Sequence, residues 1–272
     1  MKNLIVLICL LWSIPQISLA QKTAKDYFLL GYEAYQAKDY ESALSHLDKS
    51  FEMDKTASGS VRLRAYVKEK LGDLTGALAD FSTAIEIKPG RVKDYFRRGT
   101  IRKFLEDYEG ALEDFNKAIE LRPNREQDYL TRGEIKNTLQ DYEGAIKDYS
   151  KVLEINAKSP AAYFLRGNSN FMLGRYESAF EDQKQASILK PDWANGYMSL
   201  GMVLYVLERY EESIANLNKA LTLDNNEPSE IFYYLGLSKA DSGDVKGGCQ
   251  NLKESLKQGN ADAQKKINRY CK

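Results

Sequence analysis

Small and apolar residues recur along this chain at one long, constant interval. Small residues stand at Gly31, Ala65, Gly99, Gly133, Gly167, Gly201 and Gly236, with identical spacing throughout except for one extra residue in the last interval. A second small series, Ala43, Ala77, Ala111, Ala145, Ala179, Ser213 and Gly248, follows the first at the same offset in every period. Large side chains keep step with both. Tyr27, Val61, Tyr95, Tyr129, Tyr163, Tyr197 and Phe232 precede the first series, and Leu47, Phe81, Phe115, Tyr149 and Leu252 follow the second. Each period therefore predicts two short amphipathic helices. Two antiparallel helices approach closely only where a side chain is nearly absent, and bulky neighbours then fill the space beside the contact.

The polar residues punctuate the same period. Gly72, Gly174 and Gly243 suit a left-handed stop at the end of a first helix. Asp39, Asp73, Asp107, Asp141 and Asp244 then suit the cap of the second helix. Glu41, Glu109, Glu143, Glu177 and Glu211 follow in its first turn, where the helix dipole favours an anion. Pro89, Pro123 and Pro191 end three of the second helices.

These residues resemble the tetratricopeptide repeat, whose succession of aromatic, Leu-Gly or Arg-Gly, Ala, aromatic, Ala and Pro is met almost completely in residues 92–125. Seven units divide the chain as 24–57, 58–91, 92–125, 126–159, 160–193, 194–227 and 229–262, with a C-terminal capping helix over 261–272. Lys55, Ala157, Asn225 and Asn260 replace the closing proline, and Ala65 and Leu235 depart from the Gly and Leu positions. The resemblance implies an all-α protein, a right-handed α-solenoid of helix-turn-helix units whose first helices line a concave groove. One unit cannot bury its apolar face alone, so such a stack needs its neighbours and a cap at each end.

Four consecutive units carry an arginine before the small residue: Arg64, Arg98, Arg132 and Arg166. The same four carry an aspartate at one fixed position further on: Asp80, Asp114, Asp148 and Asp182. Units with Leu30, Leu200 or Leu235 in the arginine position have His46, Asn216 or Asn251 in the other. The two positions lie nearly opposite in a hairpin, so arginine and aspartate are expected to pair across it. Asp94 and Asp128, four residues before Arg98 and Arg132, offer a second helical partner.

Composition removes several functions. Lys plus Arg and Asp plus Glu both total 39, so no overall field gathers nucleic acid or anionic lipid. Residues 1–20 read as a signal peptide, with Lys2, an apolar stretch from Leu4 to Trp12 and a small-x-small site at Ser18-Leu19-Ala20. An uncleaved anchor is disfavoured because the apolar run is far shorter than the roughly 20 residues of a span. Cys9 sits inside that run, after Ile8 rather than a small residue, which argues against a lipid anchor. An exported chain, periplasmic or secreted, with no membrane span after processing, is expected.

Loss of Cys9 leaves Cys249 and Cys271, an even pair that favours a disulfide if the last repeat helix and the terminal helix form a hairpin. Two unrelated buried thiols are the alternative. Two cysteines and one histidine, His46, are too few for a closed zinc site, and no metal or cofactor is expected. Neither a G-x-S-x-G motif nor a Walker or dinucleotide-binding signature occurs, so no enzymatic activity is expected.

By the family resemblance, the inner face comprises Phe28, Tyr32, Tyr35, Tyr66, Phe96, Phe164, Phe171, Met198, Met202, Tyr205 and Tyr233. Lys25, Arg62, Lys93 and Lys103 make its N-terminal part basic. The family's carboxylate clamp needs Lys and Asn where this chain has Phe28 and Tyr32, so that clamp is not expected. A ring-rich groove of this kind suits a protein or peptide segment with apolar anchors and some acidic character. Assembly of an envelope or secretion complex is one such use. The alternative is a carbohydrate-binding module of a nutrient-uptake system, since rings also stack on sugars. Sugar sites gather two or three rings on one platform, whereas these are spread along the groove. The sequence leaves the oligomeric state open.

Overall fold

The computed structural model describes residues 22–223 and 228–272; the segment read as a signal peptide lies outside them. Among the described residues there are fifteen α-helices and no strand. They fall into two compact units, the chain passing from one to the other between Ile101 and Arg102. The first unit holds α1 (Ala24–Gln36), α2 (Tyr40–Met53), α3 (Ser58–Leu71), α4 (Leu74–Ile87) and most of α5 (Val92–Phe104). The second holds the end of α5, then α6 (Tyr108–Leu121), α7 (Glu126–Thr138), α8 (Tyr142–Ile155), α9 (Pro160–Met172) and α10 (Tyr176–Leu189). It continues through α11 (Ala194–Val206), α12 (Tyr210–Thr222), α13 (Pro228–Asp241), α14 (Val245–Lys257) and α15 (Asp262–Tyr270).

The two small-residue series explain how each hairpin closes. A Cβ added at Gly133 would lie 2.6 Å from Cε1 of Tyr149, and one at Gly201 would lie 2.5 Å from Cγ of Leu217. The missing side chain on the first helix is the space occupied by the large side chain of the second. Those large residues are fully buried: Leu47, Phe81, Phe115, Tyr149, Leu217 and Leu252 have no exposed surface. Gln183 breaks the apolar run. It is also fully buried, donating to Phe164 O at 3.1 Å and to Asn168 Oδ1 at 2.7 Å.

Every turn between the helices of a pair passes through a left-handed residue. Gly72, Gly174 and Gly243 supply it in three units, but Lys38, Glu106, Gln140 and Glu208 hold φ between 59° and 63° in the other four. The hydrogen bonds of the turn enforce this, the next residue donating to the carbonyl five positions back, as Asp73 N does to Lys68 O at 2.9 Å and Asp107 N to Arg102 O at 2.9 Å. Asp39, Asp73, Asp107, Asp141 and Asp244 then cap α2, α4, α6, α8 and α14, each accepting from a backbone N–H three residues on. In α10 and α12 the cap position is Arg175 or Arg209, with no side-chain cap.

The C-terminal helix covers the last hairpin. Ala263, Ile267 and Tyr270 of α15 pack on Leu237, Leu252 and Leu256 with Tyr233 and Tyr234. Cys249 of α14 and Cys271 just after α15 form a disulfide, their Cα atoms 5.6 Å apart.

Candidate interaction surface

Within the first unit, α1, α3 and α5 contribute one face. Tyr32 is 46% exposed, the most open of the ring positions there. Phe28 and Tyr35 are half-buried against the cluster of Ala43, Leu47, Leu63 and Val67. Tyr66 meets Phe81 edge-on at 5.2 Å and carries the Arg97 guanidinium at 5.5 Å. Burial raises the pKa of the Tyr66 phenol above its ordinary value, so it stays protonated and available as a donor.

Arg62 does not contribute to a basic groove. Its Nε meets both oxygens of Asp94, at 2.7 and 2.8 Å, with both residues buried. Asp94 is thus held from the preceding repeat, with Arg91 of its own segment 3.5 Å away. Asp128, one period later in the sequence, bonds Arg125 at 2.8 Å. The Asp128 Oδ2 atom is buried without a hydrogen-bond partner, and burial raises the pKa of this carboxyl. Lys103 is likewise engaged, with Glu134. Lys25 and Lys93 remain as exposed cations of the first unit's face.

In the second unit the expected rings are mostly packed against other rings. Phe164 lies 4.5 Å from Trp193, Phe171 meets Tyr176 at 5.4 Å, and Tyr205 contacts both Tyr210 and Tyr234 at 5.9 Å. Tyr233 sits edge-on to Tyr234, and Met202 packs against the core. Met198 is not a surface residue: it is 8% exposed and belongs to the cluster of Leu217, Ala220, Ile231 and Leu235. Phe96 is half-buried. Of these eleven side chains, one ring is exposed, nine are half-buried and one methionine lies in the core. Interhelical packing takes most of their area, since each ring buries more against a neighbouring helix than it leaves to solvent.

The arginine series ties helices together. Arg64 places Nη2 2.6 Å from Asp80 and Nη1 2.9 Å from Asp48. Arg132 spans Asp148 and Asn116, and Arg166 spans Asp182 and Ser150. Arg98 donates to Ser82 at 3.1 Å, while Asp114 accepts from Arg102 at 3.0 Å. Each arginine of the series thus also reaches back to a polar residue of the preceding hairpin. That backward contact was missed in the sequence, although Asp48, Ser82, Asn116 and Ser150 recur with the same period as the arginines.

At the C-terminal end, Asp241 accepts from Tyr205 Oη at 3.1 Å and from Tyr270 Oη at 2.7 Å, tying α11 and α15 to the end of α13. Burial, aided by the carboxylate, pushes the Tyr270 phenol up to about 12. His46 lies beside Tyr27, ring centroids 6.2 Å apart, with a buried Nδ1. Among the described residues, no group of three or more His, Cys, Asp or Glu is placed to hold a metal, and no helix is long and apolar enough to cross a membrane.

A cleft of about 250 Å³ opens between α1 and α3, bounded by Ala24, Lys25 and Phe28, by Ser50 and Asp54 at the end of α2, and by Ala57, Gly59 and Ser60.

Family models of the tetratricopeptide repeat match residues 28–92, 92–125 and 194–227, and a model described as TPR repeat matches 133–174. No curated protein sequence matches the chain. Among solved structures, it is similar to a tetratricopeptide repeat protein from Parabacteroides merdae, with 18% identity, a TM-score of 0.65, and 91% of this chain and 98% of that one covered. It is similar to MamA from Desulfovibrio magneticus, with 19% identity, a TM-score of 0.58, and 61% and 94% covered. It also resembles YrrB, titled a TPR protein with an unusual peptide-binding site, with 20% identity, a TM-score of 0.57, and 65% and 91% covered. At these identities the likeness concerns the fold.

Proposed function

The chain belongs to the tetratricopeptide-repeat family, and we propose that it is an exported, non-catalytic scaffold whose first-helix face binds a protein or peptide segment with apolar anchors. The observation that carries this reading is the face of α1, α3 and α5, where exposed Tyr32 stands with the cations Lys25 and Lys93 over half-buried rings. Rings of this kind supply contact area at low entropic cost, and cations favour acidic segments. The peptide-binding site named for YrrB supports the same use of the fold. Export is supported by the composition of residues 1–20 and by the disulfide between Cys249 and Cys271, a bond that persists in oxidising compartments. Assembly of an envelope or secretion complex is the corresponding role.

Sugar binding is less well supported. Phe164 and Trp193 form a close ring pair, but they are inclined at 50° and offer no shared platform. The test is affinity capture with the processed chain, beside the Tyr32→Ala and Lys93→Glu variants and a glycan array. A partner retained by the wild type and lost from both variants is expected. Capture indifferent to both substitutions, or a glycan hit removed by Phe164→Ala, overturns the reading. Fractionation of cells producing the full chain tests export, which fails if the protein stays in the cytoplasm.

A further inference from the structure

Gly59 is the one glycine at the second position of its unit, where the other repeats have Lys25, Lys93, Gln127, Ala161, Asn195 and Glu230. Gly59 lies in the first turn of α3, and every other unit carries a side chain at this place. Crowding does not demand the glycine. A Cβ added at Gly59 would touch only Phe28 Cε2, at 3.8 Å, an ordinary contact, whereas one at Gly31 would lie 2.7 Å from Leu47. Gly59 also has no left-handed backbone to accommodate. What the missing side chain does is leave open the cleft of about 250 Å³ between α1 and α3.

The chemistry of the cleft is specific. Its walls are the Phe28 ring and the apolar surfaces of Ala24, Ala57 and Gly59. The two serines at its base are already paired, Ser50 Oγ with Ser60 Oγ at 2.8 Å, and Ser50 with Ala24 O at 2.7 Å, so they ask nothing of a ligand. Asp54 is occupied by the N–H and hydroxyl of Thr56, which hold its pKa below the ordinary carboxylate value. Lys25 forms no ion pair among the described residues and stands exposed at the rim. The cleft therefore presents an apolar hole beside one exposed cation that is not ion-paired, Lys25, and one carboxylate already hydrogen-bonded to Thr56, Asp54.

We propose that the cleft between α1 and α3 is a side-chain subsite for an aliphatic residue of the partner segment, with an adjacent Asp or Glu of that segment paired to Lys25. This rests on the peptide-binding reading above and gives it a recognition rule. The volume suits a Leu, Ile or Met side chain, the glycine allows close approach of the partner backbone, and the charge at the rim selects the neighbouring residue.

The test is selection of a random dodecapeptide library displayed on phage against the processed wild-type chain, Gly59→Met and Lys25→Glu. Circular dichroism first establishes that the variants keep the helical fold; Gly59 faces open space, so they are expected to. Wild type is expected to enrich an aliphatic residue adjacent to Asp or Glu. Gly59→Met fills the cleft and loses that pair, and Lys25→Glu exchanges the acidic neighbour for Lys or Arg. By fluorescence anisotropy the leading wild-type peptide should bind Gly59→Met at least roughly tenfold more weakly, the factor expected when burial of one aliphatic side chain is lost. If all three proteins enrich the same motif, the subsite is wrong while peptide binding stands. If the wild type enriches apolar residues without an acidic neighbour, the role of Lys25 is wrong. If it enriches nothing, both this inference and the peptide-binding reading fall.

Discussion

Arg132 lies against Asp148 with its Nε atom 2.9 Å from Oδ2 and its Nη2 atom on Oδ1, while its Nη1 atom reaches back to Asn116 at 2.7 Å. One guanidinium thus closes its own hairpin and fastens it to the hairpin before. Both partners are largely buried, with 17% and 4% of their side chains exposed. Replacing Arg132 by Leu strands a buried carboxylate that Lys136, 2.8 Å away, only partly compensates. The expected loss is about 2–4 kcal/mol. Arg132→Leu with Asp148→Leu should lose less than the sum of the two single variants by about 1 kcal/mol or more, measured by urea unfolding. Additive losses would refute the coupling.

Lys38, Glu106, Gln140 and Glu208 occupy a backbone region that L side chains adopt with strain, at the place where Gly72, Gly174 and Gly243 serve the same turn. Glu106→Gly, Gln140→Gly and Glu208→Gly are each expected to stabilise the protein by about 0.5–1 kcal/mol, and Gly174→Ala to destabilise it similarly. The midpoint of denaturant unfolding reads both signs. A glycine that lowers the midpoint would count against strain at these turns.

The disulfide between Cys249 and Cys271 bridges a sequence separation of 22 residues. Its removal by Cys271→Ser should cost roughly 3 kcal/mol in the chain-entropy account. The loss is expected to concentrate in α15, a nine-residue helix too short to persist unaided. Hydrogen exchange should show faster exchange in α15 with little change at α7 and α8. Uniform loosening of the whole chain is the contrary outcome.

Asp128 makes stability fall with rising pH. Burial raises its folded pKa above the ordinary carboxylate value, against the smaller opposing pull of Arg125 and Arg122. Between the unfolded value, near 4, and the raised folded value, the native state retains a proton that the unfolded chain has lost. In that window stability attributable to the protonated group declines as pH increases. The difference in melting temperature between Asp128→Asn and wild type should therefore shift in favour of Asn from pH 3.5 to pH 7. A constant difference across that range would show that the carboxyl is ordinary.

Much of the fold was legible because seven units repeat the same demand. The Gly133–Tyr149 contact, the Asp141 cap and the Arg132–Asp148 pair each have counterparts one period away, so a single unclear unit is read from its neighbours. The backward reach of Arg132 to Asn116 obeys the same rule, yet it is not among the contacts expected from the sequence. Residues that act once carry no such signal. Arg62 resembles a groove cation in the sequence, yet it is consumed by Asp94 one repeat away.

The helices, their pairing and the spacing of their small and large contacts are readable along the chain, because they are local, periodic consequences of what fits between two adjacent helices. Which side chains of the first helices face solvent is set by packing in three dimensions. Tyr32 and Met202 occupy the same position of their repeats, yet one stands open and the other packs against the cluster of Leu217, Ile231 and Leu235. Exposure depends on what the next hairpin brings to the same place, and that sum over neighbours is settled in space rather than along the chain.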